Sequence, residues 1–182
     1  MTSLAWSGFR ATMKTDRMNP ADTSRPRVDL REPLQRETVA SVGYRDLVAC
    51  EIDATLAEAL HVMQEKSVGC LVVLEEGTLR GIFTERDVVT RVLGKVDSLE
   101  APLSDYMTPD PSTARLDEPI YFILARMNQG GMRHLPVLDT SDRPVGTISV
   151  KRAVHFLADH FPEAIRNLDP DPGRYPGTPE GG

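Results

Sequence analysis

The central part of the chain consists of two copies of one sequence unit, and this duplication constrains the fold more than any other feature of the sequence. When the sequence is shifted by 64 residues, positions of the first copy fall in order on identical residues of the second. The matches are Asp53 with Asp117, Leu60 with Leu124, Met63 with Met127, Leu71 with Leu135, Val73 with Val137 and Leu74 with Leu138. One extra residue in a turn makes the shift 65, which aligns Gly81 with Gly146 and Thr84 with Ser149. Matches in this order indicate a tandem structural repeat.

Each copy predicts the same five elements, in the order strand, helix, strand, strand, helix. The extended runs are 47–52, 70–74 and 79–83 in the first copy and 112–116, 135–138 and 145–148 in the second. Apolar residues recur at helical spacing after the first run of each copy, at Leu56, Ala59, Leu60 and Met63 and at Ile120, Ile123, Leu124 and Met127. A second helix closes each copy, over Val88, Val89, Val92 and Leu93 and over Ala153, Val154, Phe156 and Leu157. Thr55 followed by Glu58 predicts a capping box at the start of the first helix.

The predicted fold class is α+β, with two β-α-β-β-α repeats whose small sheets are flanked by helices. A unit of about 60 residues buries only a marginal core by itself, because small domains have too much surface for their volume. We therefore expect the two repeats to cover each other's apolar faces and to form one body with an internal pseudo-two-fold axis.

Both ends of the 182-residue chain differ in composition from this duplicated body. Residues 1–40 carry seven Lys or Arg and five Asp or Glu, and residues 162–182 contain five prolines and four glycines. We expect a partly disordered arm over 1–41, the first repeat over 42–100, the second over 101–161 and a disordered tail over 162–182. An organellar transit peptide remains an alternative interpretation of the arm.

The composition disfavours several classes of function. A net charge of -6 and an aromatic content of 5% are untypical of a protein that binds nucleic acid through a basic patch and stacked bases. The longest apolar runs are too short to insert into a membrane. The two cysteines, Cys50 and Cys70, form no disulfide framework or metal motif, and the separation of His155 and His160 is poor for metal binding on a helix. We expect a cytoplasmic protein that is not an enzyme and has no metal site, because no catalytic signature is present.

The residues with most chemical information form the run from Gly81 to Asp87. Thr84 stands where a strand ends and a helix begins, and such a position presents unpaired N–H groups to phosphate or sugar oxygens. Asp87 lies one turn further on the same face, where its carboxylate can accept both hydroxyl groups of a ribose. The alternative interpretation is structural: Thr84 and Asp87 can be a helix N-cap and its partner three residues on.

The repeated unit, the run Ser104 to Thr108, the strand Arg133 to Val137 and the G-h-x-T-x-x-D run together resemble the cystathionine-β-synthase (CBS) domain family. The resemblance covers roughly residues 42–161 and implies a tandem CBS pair. In that family the Thr or Ser and the Asp of the run hold the ribose of an adenosyl ligand in the cleft between the repeats. The resemblance therefore implies a ligand site at Thr84 and Asp87, with the base near Ile82 and the extended residues Pro111 to Thr113.

The second copy departs from the family pattern, because Arg152 occupies the position of the aspartate. An arginine side chain has no hydrogen-bond acceptor, so we expect one competent ribose site and one defective or repurposed cleft at Ser149 and Arg152. By resemblance to members with Arg at this position, Lys151 is expected to reach the ligand phosphate in the neighbouring cleft. Arg133 and His134 occupy positions that face phosphate in the family. Structural alternatives are a solvated charge for Arg133, a strand-edge residue for His134 and a charged helical turn for Lys151.

The sequence leads to two functional hypotheses from different classes. The first is a regulatory module that needs no cofactor and senses an adenosine-containing ligand, with AMP, ADP, ATP or NAD(H) favoured over S-adenosylmethionine because of the bases at one cleft. The resemblance further implies a homodimer, and the sequence names no effector domain, so the signal is expected to pass to an effector protein of unknown identity. The second hypothesis is a constitutive adaptor with the same fold and no nucleotide.

Overall fold

Two small mixed sheets and their helices make up the part of the chain that the computed structural model describes, residues 31–162. The helices are α1 (Arg31–Arg36), α2 (Val39–Val42), α3 (Leu56–Lys66), α4 (Glu85–Asp87), α5 (Ile120–Gly130) and α6 (Val150–His160). The strands are β1 (Arg45–Asp46), β2 (Ala49–Glu51), β3 (Cys70–Glu75), β4 (Thr78–Thr84), β5 (Thr108–Pro109), β6 (Ala114–Arg115), β7 (His134–Leu138) and β8 (Pro144–Ser149). A π-helical turn, Val88–Val92, continues α4, and a 3-10 turn spans Leu103–Asp105. The predicted α+β class with two repeats of small sheets and helices is confirmed.

Each sheet is completed by a strand that precedes the other repeat in the sequence. The first sheet has the order β2-β3-β4-β5 and the second the order β1-β8-β7-β6. β5 pairs antiparallel with β4, so that Thr108 lies opposite Ile82, and β1 pairs antiparallel with β8, so that Arg45 lies opposite Thr147. This exchange joins the two repeats into one body and obeys the internal two-fold relation that the duplication predicted.

The aligned glycines Gly81 and Gly146 allow the exchanged strands to approach closely. A Cβ atom on Gly146 would lie 2.5 Å from Cδ2 of Tyr44 and closer still to the carbonyl oxygen of Arg45. A Cβ atom on Gly81 would lie 3.1 Å from the carbonyl oxygen of Thr108 and would overlap the Met107 side chain. Both glycines are therefore required by close backbone approach, which is a common reason for glycine within a strand.

Two hydrophobic cores fill the repeats, one for each sheet. The first core contains the fully buried residues Leu56, Leu71, Phe83 and Leu103, and the second contains Val39, Ile123, Leu135 and Ile148. The capping box at α3 is present: Thr55 N donates to Glu58 Oε2 at 2.8 Å, and Glu58 N donates to Thr55 Oγ1 at 3.2 Å. None of the helices within residues 31–162 combines the length and the apolar character needed to cross a membrane.

The folded body begins before Val42, where the sequence analysis placed its start. Thr38 caps α2, and Val39 and Val42 are buried in the core of the second repeat. α1 lies against α5, and Leu34 packs on the same core. The segment at α2 corresponds to the 3-10 turn Leu103–Asp105, but its side chains differ too much for the shift of 64 to reveal it. Residues 1–30 of the expected arm and 163–182 of the expected tail lie outside the described residues.

The helix that follows β4 is not a regular α-helix over its whole length. After the single turn of α4 it becomes π-helical, and Leu93 N donates to Val88 O at 2.8 Å. Val89 and Leu93, two of the four apolar residues that predicted this helix, are 63% and 70% exposed. The second repeat keeps a regular helix of 11 residues at α6, although Val154 is also 50% exposed. The apolar residues predicted the positions of both closing helices, but apolar spacing alone does not reveal which face meets the core.

Candidate functional site

A cavity of about 460 Å³ lies between the two repeats, where β4 ends and α4 begins. Its opposite wall is formed by the end of α5 and the start of β7 from the second repeat. This volume is within the range of small-molecule sites. The lining residues from the first repeat are Gly69, Ile82, Thr84, Glu85, Arg86, Asp87, Thr90 and Arg91; the others are Thr108, Asp110, Pro111, Ser112, Gly130, Gly131, Met132, Arg133 and His134.

Thr84 and Asp87 form a reciprocal capping box in the wall of the cavity. Thr84 donates to Asp87 Oδ2 twice, from its backbone N at 2.9 Å and from Oγ1 at 2.6 Å. Asp87 N donates to Thr84 Oγ1 at 3.3 Å. The side chain of Asp87 is largely buried, with the residue 6% exposed. The structural alternative from the sequence is thus realised, and the same two residues also face the space that a ligand would occupy.

The second carboxylate oxygen of Asp87 lies beside Arg91. Arg91 Nε is 3.4 Å from Asp87 Oδ1, and Arg91 Nη1 donates to the carbonyl oxygens of Met107 at 2.7 Å and Tyr106 at 3.2 Å. The guanidinium group therefore compensates the charge of the buried carboxylate. Sequence reasoning missed Arg91, although the separation of four residues from Asp87 is a spacing typical of helical ion pairs.

Arg133 and His134 lie on the side of the cavity formed by the second repeat. Arg133 is exposed, and it forms no ion pair with any other residue between 31 and 162. Partial burial and the neighbouring Arg133 charge lower the pKa of His134, and the carboxylate of Glu85 opposes this shift. A histidine with a lowered pKa is neutral near pH 7. Arg133 therefore adds a fixed positive charge to the cavity, and His134 adds one only when its imidazole is protonated.

The expected base-binding segment contributes only in part. Ile82 is buried and provides an apolar wall, and Pro111 and Ser112 also line the cavity. Thr113 is not among the lining residues, and its carbonyl oxygen accepts a hydrogen bond from Arg126, which also binds Glu118. This bond anchors the chain that leads into β6.

Lys151 also lies outside the lining residues and is exposed at the start of α6. Its counterpart in the first repeat is Arg86, which lines the cavity and was not predicted. Arg86 Nη1 donates to the carbonyl oxygen of Gly131 at 2.9 Å, so it bridges the two repeats at the cavity. Gly131 ends α5 in a left-handed conformation, with φ of 62°, and this exposes its carbonyl group.

The corresponding position of the second repeat lacks the groups that equip the first. Arg152 N donates to Ser149 Oγ at 3.1 Å, while Arg152 Nε donates to the carbonyl oxygen of Val42 at 3.1 Å. Cys70 stands in the place of His134, and burial raises the pKa of its thiol to about 11, although a hydrogen bond with Thr147 opposes the shift. The second position therefore offers neither a carboxylate acceptor nor an imidazole.

Comparison with known proteins identifies relatives of both repeats. The family model described as the CBS domain matches residues 39–94 and 103–159. An uncharacterized 17.7 kDa protein of Acidianus ambivalens is 29% identical over 66% of this chain and 73% of its own length. The CBS domain-containing protein CBSCBSPB1 of Arabidopsis thaliana is 30% identical over 69% of this chain, and the match spans only 24% of the plant protein.

Solved structures with the same architecture are also found. A putative signal-transduction protein with CBS domains from Burkholderia ambifaria is similar with a TM-score of 0.63 and 27% identity, over 69% of this chain and 96% of its own. A CBS domain protein from Pyrobaculum aerophilum, complexed with AMP, has a TM-score of 0.59 and 21% identity over 64% and 89% of the chains. The CBS domain pair of protein MJ0100, in complex with 5-methylthioadenosine and S-adenosyl-L-methionine, has a TM-score of 0.61 and 20% identity over 66% and 99%.

Proposed function

The chain belongs to the CBS domain family, and on that premise we propose that it is a regulatory module that binds an adenosine-containing ligand in the cavity between its repeats. The observation that carries this proposal is the position of Asp87. Asp87 lines the cavity; its Oδ2 atom receives both donors of Thr84, whereas its Oδ1 atom has only Arg91 Nε at 3.4 Å. A ribose diol supplies the hydroxyl donors that such an oxygen accepts.

The charges around the cavity favour a ligand that carries phosphate. Arg86, Arg91 and Arg133 all line it, and all three are exposed. Guanidinium groups form strong charge-assisted hydrogen bonds with phosphate oxygens. We therefore propose AMP, ADP, ATP or NAD(H) rather than S-adenosylmethionine. The binding of AMP by the Pyrobaculum relative supports this order, and the ligands of MJ0100 show that related pairs also accept adenosyl groups without phosphate.

The output of such a module is a change in assembly or partner binding, not catalysis. We propose that two copies associate through the helices that follow β4 and β8, because Val89 and Val154 occupy equivalent positions and both are exposed. An effector protein receives the signal in this proposal. The thiols of Cys50 and Cys70 are free, which is consistent with a reducing compartment such as the cytoplasm.

Ligand-induced thermal stabilisation tests the proposed site. AMP at a hundredfold excess over its Kd should stabilise the protein by about 2.7 kcal/mol, which corresponds to a rise in Tm of roughly 5–10 °C. The variant T84A/D87A should lose this rise, because the ribose acceptor and its support are gone. The matched control S149A/R152A alters the equivalent residues of the second repeat and should keep it.

The comparison uses the ligand-induced rise and not Tm itself, because removal of the capping box at Thr84 costs about 1 kcal/mol without any ligand. Native mass spectrometry of the purified protein adds an independent measurement of ligands that co-purify. If none of the adenosyl compounds binds the wild-type protein, the constitutive adaptor is the better interpretation; the satisfied capping box is the observation that favours it.

A further inference from the structure

We propose that Arg91 is a positioning residue that aims the carboxylate of Asp87 at the ribose of the ligand, and that it thereby sets the preference for ribose over deoxyribose. This inference rests on the proposed function. Arg91 does not need to touch the ligand for this role, because it acts through the carboxylate.

The two carboxylate oxygens of Asp87 have different partners, and Arg91 is the partner of one of them. Oδ2 receives both donors of Thr84, at 2.9 and 2.6 Å, and this pair anchors one side of the carboxylate. Oδ1 has the Arg91 Nε atom at 3.4 Å. Rotation of the carboxylate about its Cβ–Cγ bond would break all three contacts at once. The guanidinium group thus supports the orientation in which Oδ1 stays in the cavity wall.

Arg91 is itself held by the main chain just ahead of the exchanged strand β5. Its Nη1 atom donates to the carbonyl oxygens of Met107 and Tyr106, at 2.7 and 3.2 Å. The π-helical turn Val88–Val92 contains Arg91, and turns of this kind occur frequently at functional sites. The same side chain therefore connects the proposed ribose acceptor with the strand that crosses between the repeats.

In the second repeat, an arginine at a different position makes the equivalent contact with a main-chain carbonyl. There Arg152, in the place of Asp87, donates to the carbonyl oxygen of Val42 at the end of α2, which corresponds to the turn that ends near Tyr106. The counterpart of Arg91 is Phe156, which packs against the core of the second repeat. Both repeats thus bind this carbonyl region with an arginine, but only the first supplies it from one turn beyond the aspartate. In the first repeat the arginine therefore does not occupy the position of the carboxylate.

Isothermal titration of the full chain with AMP and with 2′-deoxy-AMP tests the role of Arg91. A hydrogen bond to a carboxylate is expected to make the wild-type Kd for 2′-deoxy-AMP about 10-fold or more weaker than that for AMP. The variant R91Q should lower this ratio toward that of D87A, which has no side-chain acceptor and should show a ratio close to one, and the double variant D87A/R91Q should show the ratio of D87A alone. The control R80Q removes an arginine that pairs with Glu75 and does not line the cavity, so the ratio should stay as in the wild type.

If Arg91 had only a structural role, R91Q would weaken the binding of both nucleotides equally and leave the ratio of their Kd values unchanged. This result would overturn the inference. If R91Q does not fold, R91K replaces it: a lysine carries all its donors on one nitrogen, whereas Arg91 uses Nε for the carboxylate and Nη1 for the carbonyls, so the ratio should lie between those of wild type and D87A. An unchanged ratio in R91K contradicts the inference in the same way. If the wild-type protein binds neither nucleotide, the proposed function itself fails.

Discussion

At the scale of single residues, two arginines that line the cavity differ in their partners. Arg91 is exposed, but its guanidinium group is engaged within the protein, because it compensates a buried carboxylate and binds main-chain carbonyl groups. Arg133 is exposed and has no ionic partner among residues 31–162, so its charge remains available to an anion. We therefore expect Arg133 rather than Arg91 to contact a ligand phosphate.

We expect His134 to make the binding of a phosphate ligand dependent on pH. Its pKa is lowered in the free protein by burial and by Arg133, against the opposing charge of Glu85 at the start of α4. A phosphate beside it would raise the pKa, so binding takes up a proton. The resulting gain in affinity is complete below the pKa of the free histidine and disappears as pH rises through the pKa of the complex. We expect AMP to bind more tightly at pH 6 than at pH 8.

The matched control for this prediction is H134N, measured with AMP and with adenosine. The phosphate group of AMP itself titrates near pH 6, so only the difference between wild type and H134N reports on the histidine. Adenosine has no phosphate, and its affinity should change little over the same range. A pH dependence that is identical in wild type and H134N would show that His134 does not meet the phosphate.

At the scale of elements, the exchanged strands depend on two glycines. In G146A the new methyl group would overlap the carbonyl oxygen of Arg45, and a backbone atom cannot move aside as a side chain can. We expect a loss of about 1–3 kcal/mol in the free energy of unfolding, as for other overpacked sites, measured by urea denaturation.

The control for this effect is G130A in α5, where the new Cβ would meet only the end of the flexible Met132 side chain. There the alanine should change stability by no more than about 1 kcal/mol, because helix propensity offsets the contact. Equal stabilities of G146A and the wild type would mean that β1 can leave β8 without cost.

Secondary structure was predictable wherever the side-chain pattern carries local information. The helix Leu56–Lys66 and its cap, and the two long strands of each repeat, lie close to their predicted positions. The pairing of β1 and β5 with the opposite repeat was not predictable, because two-residue strands have no periodicity of their own. The π-helical turn at Val88–Val92 was missed for a similar reason: its apolar residues also suit a regular helix.

At the scale of the whole molecule, exposed apolar residues recur at equivalent places in both repeats. Val89 and Val154 are 63% and 50% exposed on the helices that follow the two long hairpins, and a surface with internal two-fold symmetry suits a symmetric dimer. We expect the wild type to be dimeric by light scattering, and V89E/V154E to be monomeric, because four charges would have to be buried.

The control F122E places a charge on an apolar residue of comparable exposure on α5 and should remain dimeric. A wild-type protein that is monomeric at all accessible concentrations would contradict the proposed interface. Dimer formation by V89E/V154E would assign the contact to another surface.

The sequence by itself determined the duplicated architecture, the position of Thr84 and Asp87 at the end of a strand, and the loss of the acceptor at Arg152. These features depend on residue type and order along the chain. Only the tertiary structure decided that Arg86 and Arg91 line the cavity while Lys151 and Thr113 do not. The physical reason is that these positions depend on how two repeats and their exchanged strands pack, and side-chain direction across that interface is not recorded in any local pattern.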